Sequence, residues 1–140
     1  MPEELAQKVS LLLTHSIGCT ASFTQLAGIE AIQGDQHQVE MVVKAYKERR
    51  DLLVQGLNKI PGVHCQLPQG AFYAFPNITP FGKNSDWLAD YLLDEAGVAL
   101  LPGTSFGKYG EGYLRLCFAT SIENLKIALN RIGSALSSLK

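Results

Sequence analysis

The apolar period of this chain changes at Pro61-Gly62. Before that point Val39, Val43, Tyr46, Leu53, Leu57 and Ile60 recur at intervals of three, four or seven, with Lys44, Lys47, Glu48 and Arg49 between them. That spacing predicts an amphipathic helix over 39–60, and the Pro-Gly pair is a stop signal for it. Beyond Gly62, 63–67 and 71–75 alternate like strands, and Pro68-Gln69-Gly70 between them reads as a hairpin-like connection.

The remaining segments follow from the same signals. Two helices are expected upstream, over 3–14 and 21–33, separated by the turn formers of 15–20. Downstream, Ser85 is placed to cap a helix over 86–96, with Gly97 at its left-handed end. Val98–Leu101 reads as a short buried strand ended by Pro102-Gly103. Thr120-Ser121-Ile122-Glu123 has the form of a capping box, opening a helix whose stripe is Ile122, Leu125, Leu129, Ile132, Leu136 and Leu139. The expected order is α-α-α-β-β-α-β-β-α. It describes an α/β domain of the α+β type, with a small mixed sheet of about four strands and helices packed on one face. Residues 1–35 contain no strand and form a helical segment apart from 36–140.

Bulk properties exclude several functions. The formal charge of the 140 residues is −1 and only 18% of them are charged, so no electrostatic footprint for nucleic acid or an anionic membrane exists. The apolar run 9–13 is too short for a membrane span. Three scattered cysteines form neither a disulfide framework nor a zinc pattern, and the three histidines show no metal-ligand spacing. A reducing, cytoplasmic setting is expected. Cys19 and Cys117 have no base near them in sequence and are expected to be buried, inert thiols.

Arg115 is the candidate site residue. It stands alone in the run 112–120, among apolar β-formers, where a guanidinium is rare without an anionic partner. Strand alternation puts Tyr113, Arg115, Cys117 and Ala119 on one face, and Leu114, Leu116 and Phe118 on the other. The apolar face belongs against helices, which turns Arg115 toward a cleft or a partner. Two readings fit: a bidentate clamp for a carboxylate ligand, or a structural ion pair with an Asp or Glu of a neighbouring helix. The segment 102–107 follows a strand but matches no phosphate-binding glycine pattern and reads as a turn. The aromatics of 70–73 read as core rather than pocket, and the basic cluster 44–50 as a solvated helix face.

Four pieces of the chain, in order, resemble class I/II aminotransferases, pyridoxal-phosphate enzymes of the aspartate aminotransferase fold. They are Tyr46-Lys47-Glu48-Arg49-Arg50-Asp51-Leu52-Leu53, Pro68-Gln69-Gly70-Ala71-Phe72-Tyr73, Glu95-Ala96-Gly97-Val98-Ala99 with the 102–107 turn, and Tyr113-Leu114-Arg115-Leu116 with Ala119-Thr120-Ser121. The resemblance implies the C-terminal small domain over 36–140, with 1–35 belonging to or bordering a large domain. It implies that Arg115 grips the α-carboxylate of an amino-acid or 2-oxo-acid substrate, in a homodimeric enzyme. It also implies pyridoxal 5'-phosphate as cofactor. The Schiff-base lysine, the pyridine-pairing Asp and the phosphate loop of that family have no counterpart here, so these 140 residues alone are expected to be inactive. Relatives with the same small domain that act as lyases, synthases or regulators, and a free-standing carboxylate-binding module, are the alternatives.

Overall fold

The computed structural model describes residues 1–139 and divides into two compact units, Met1–Val39 and Glu40–Lys140. The first unit holds α1 (Glu3–Ser16) and α2 (Ser22–Gln33). Glu3 and Glu4 lie in the first turn of α1 and His15 in its last, the charge order that the helix dipole favours. Neither helix buries a single residue, and Phe23, Leu26 and Ile32 of α2 are between 68% and 81% exposed. Both helices thus form without a buried residue of their own among the described residues.

α3 (His37–Leu57) leads into the second unit, which continues through β1 (Tyr73–Ala74), α4 (Ser85–Ala96), β2 (Leu101–Pro102), β3 (Leu114–Cys117) and α5 (Ile122–Ser137). Leu53 and Leu57 of α3, Leu88 and Leu92 of α4, and Leu125, Ile132 and Leu136 of α5 share one core with Leu114, Leu116 and Phe118. That is the helix-backed face expected of the Arg115 strand. The Tyr91 hydroxyl donates to the Ala135 carbonyl at 3.1 Å and ties α4 to α5.

The sheet has three strands rather than about four, in the order β1-β3-β2, and both pairings are antiparallel. Tyr73 faces Cys117 and Leu101 faces Arg115. The segment expected as a first strand, 63–67, makes only one isolated bridge, His64 to Asn77. Its backbone is claimed by a side chain: Cys65 N–H donates to Asn58 Oδ1 at 2.7 Å, and Asn58 Nδ2 donates to the Cys65 carbonyl at 2.9 Å. β2 starts late for a similar reason. Gly97 is left-handed (φ 61°), and the amides of Gly97 and Val98 donate to Leu93 and Leu92 carbonyls, closing α4 instead of joining a ladder.

Two caps sit one residue from their expected places. Asn84, not Ser85, caps α4 by accepting from Trp87 N–H at 2.7 Å. Ser121 accepts from Asn124 N–H at 3.1 Å and caps α5. Its hydroxyl and Glu123's own backbone N–H hold the exposed Glu123 carboxyl below the usual carboxylate range, the backbone bond being the larger cause.

Candidate functional site

β3 presents its residues as alternation requires: Leu114, Leu116 and Phe118 are buried, Arg115 is half-buried and Cys117 is exposed. The Arg115 guanidinium carbon lies 4.3 Å from the ring centre of Tyr73 and 3.9 Å from that of Phe106. Each ring offers the cation its negative face, an attraction that strengthens where water is excluded. Tyr73 reaches it from β1 as the diagonal neighbour of Arg115, two residues along β3 from its own partner Cys117. Phe106 comes from the connection between β2 and β3, in the 3-10 turn Gly103–Phe106.

Further aromatics extend the setting. Phe75 stacks on Tyr113 at 5.3 Å and meets the edge of Phe106 at 6.3 Å. The ion pairs among the described residues are Lys8–Glu4 and Arg50–Asp51; neither involves Arg115. The structural ion pair is therefore not the role of this guanidinium within the described chain. Its five donors remain directed by two aromatic faces, an arrangement suited to a planar anion meeting the edge of the fork.

Other sequence-predicted features fall elsewhere. The 102–107 segment does not cradle an anion. Gly103 N–H donates to the Tyr113 carbonyl at 2.8 Å and Gly107 N–H to the Thr104 carbonyl at 3.1 Å, so these amides are spent inside the loop. Among the described residues, no group of three His, Cys, Asp or Glu approaches metal-binding geometry. Cys19 and Cys117 are exposed rather than buried; only Cys65 is buried, and burial pushes its thiol pKa up. Arg50 is not part of a solvated face. Its guanidinium pairs with Asp51 at 2.7 Å and donates to the Pro68 carbonyl at 3.1 Å, pinning the 68–70 turn to α3. Beside that turn, Val43, Tyr46, Phe72 and Phe118 help to line a cavity of about 320 Å³.

Tyr73 and Phe106 brace Arg115, whereas the aromatics of 70–73 read from sequence as core. Tyr73 was discoverable from strand register once the pairing of β1 with β3 was known. Phe106 lies in the 102–107 piece that resembles the family, but that match assigns it no contact, because its approach to Arg115 depends on how the loop folds back.

Comparison with known proteins adds the family. The profile described as "Aminotransferase class I and II" matches residues 2–132. An aspartate aminotransferase of Pyrococcus horikoshii is 43% identical over 99% of this chain and 36% of its own length. The crystal structure of an aspartate aminotransferase from Rhizobium meliloti superimposes with a TM-score of 0.86 at 34% identity, over 97% of this chain and 36% of the other. An alanine aminotransferase from Pyrococcus furiosus gives 0.88 at 34% identity, over 96% and 34%. The chain thus spans about a third of the length of the relatives it matches. With its α+β architecture, its matched motifs and these similarities, the chain belongs to the class I and II aminotransferases, a family dependent on pyridoxal phosphate.

Proposed function

We propose that residues 36–140 are the C-terminal small domain of a pyridoxal-phosphate-dependent aminotransferase, and that 1–35 border its large domain. The whole enzyme moves an amino group between an amino acid and a 2-oxo acid, and Arg115 holds the substrate α-carboxylate. One observation carries this reading: a half-buried guanidinium braced by two aromatic rings, with no carboxylate of the described chain paired to it. A charge-assisted bond of this kind contributes about 1.5–3 kcal/mol.

Pyridoxal phosphate, when bound, supplies the electron sink for amino-group transfer. Its lysine lies outside this chain, so these residues alone catalyse no transamination. The part played by this chain is to bind and orient the acid end of the substrate. The bare apolar helices α1 and α2 support a large domain and a second subunit as their partners, since exposed apolar area of this extent marks contact surfaces. Three free cysteines fit a cytoplasmic enzyme of amino-acid metabolism. No helix of the described residues is long and apolar enough to cross a membrane.

The test is Arg115→Ala in the full-length holoenzyme, assayed with an amino donor and 2-oxoglutarate. Loss of the charge-assisted pair raises KM for both substrates by roughly 10- to 150-fold. Unchanged KM values would remove Arg115 from the site.

A further inference from the structure

The loop that brings Phe106 to Arg115 is fastened at a point remote from both. Phe106 is 48% exposed, so burial in the core does not fix its ring; the course of 103–113 does. That segment leaves the sheet at Pro102 and returns at Leu114, which pair with each other. Between them the backbones of Gly103 and Gly110 pass so closely that neither position has room for a Cβ.

The fastening is at the next residue. Glu111 Oε1 accepts from Ser85 N–H at 3.0 Å and from Ser85 Oγ at 3.3 Å. Ser85, fully buried, accepts in turn from Gly112 N–H at 2.9 Å. The carboxylate thereby satisfies a first-turn amide of α4 that has no partner within the helix, at the end where the dipole favours negative charge. At the adjoining residue of α4, Thr104 Oγ1 donates to Asp86 Oδ2 at 3.1 Å. Both limbs of the loop are therefore moored to the start of α4, with Phe106 between them.

We propose that Glu111 is a positioning residue for carboxylate binding: its latch on Ser85 sets the loop so that Phe106 braces Arg115. The inference rests on the reading of Arg115 as the carboxylate holder. It adds a dependence of that site on a side chain that pairs with Ser85 and not with the guanidinium.

A double-mutant cycle tests it. The dissociation constant of 2-oxoglutarate is measured by calorimetry on the full-length holoenzyme and on its E111A, E111Q, F106A, E111A/F106A and R115A variants. Losing the ring's hold on the cation weakens binding about three- to tenfold in F106A, and E111A, acting through the same ring, matches it. The E111A/F106A double variant binds no more weakly than F106A alone, because the latch has nothing left to position. E111Q keeps an oxygen that accepts from Ser85 and stays within about twofold of wild type. If E111A does not fold, Ser85→Ala, which removes one of the two donors to Glu111 and the acceptor of Gly112 N–H, replaces it and shows a loss that also disappears in the F106A background. Wild-type affinity in E111A, or losses that multiply in the double variant, overturns the inference while leaving Arg115 in place. Wild-type affinity in R115A overturns the underlying reading instead, and this inference with it.

Discussion

Gly103→Ala probes the loop geometry on which the site stands. A Cβ at this position overlaps the Gly110 carbonyl oxygen and lies 2.8 Å from the Tyr113 oxygen and 2.9 Å from the Gly110 carbonyl carbon. All three are backbone atoms, so no rotamer change relieves the clash and the two limbs of the loop must separate. Their separation also strains the 2.8 Å bond from Gly103 N–H to the Tyr113 carbonyl. Overpacking of this kind costs about 2 kcal/mol, which lowers the midpoint of a unit of roughly a hundred residues by about 8–16 °C. The assay is thermal unfolding of the chain followed by the fluorescence of Trp87, its one tryptophan, stacked on Tyr91 at 5.2 Å. Gly133→Ala in α5 is the control. Its nearest neighbour would be Ile60 Cγ1 at 3.8 Å, an ordinary contact, and removing a helical glycine stabilises by about 0.5–1 kcal/mol. Gly103→Ala melting within a degree of wild type would refute the close backbone approach.

Two further outcomes follow from burial and charge. In the native chain Cys19 and Cys117 react rapidly with a thiol reagent, and Cys65 reacts only on unfolding, since it is buried and its thiolate is disfavoured; a chain with a single fast thiol would contradict this. Glu123 has a depressed carboxyl pKa, so its stabilising contribution is present above its usual value of 4.5 and is lost as pH falls through the lower folded value. Glu123→Gln is accordingly less stable than wild type at neutral pH, and the difference vanishes in acid unfolding experiments below the folded pKa; a gap that persists in acid would exclude the carboxylate charge as its source.

The helices were legible because their apolar spacing is a local property. The same holds for the end of α4 at Gly97 and for the division of β3 into a buried and an open face. The strands were less so, because their backbone groups have competitors that periodicity does not register. Asn58 holds the backbone of Cys65, and Val98 N–H closes a helix, so two strand-like stretches shrink to a bridge and a two-residue strand. Ser85 shows the same limit in a cap: Asn84 accepts the first-turn bond, and Ser85 turns inward to a partner at Glu111, 26 residues away. Arg115 stood out because a lone cation in an apolar strand is costly. Its bracing by Phe106 was hidden, because a loop's return path is written in glycine–glycine contact and one distant carboxylate rather than in a motif.

A crystal structure of the full-length holoenzyme with 2-oxoglutarate bound decides whether Arg115 holds the α-carboxylate. The α-carboxylate is expected at the edge of the Arg115 guanidinium, with two parallel N–H···O bonds of about 2.7–2.9 Å and the rings of Tyr73 and Phe106 still against the cation. An α-carboxylate held by other residues, with Arg115 making no bond to the ligand, would contradict that role.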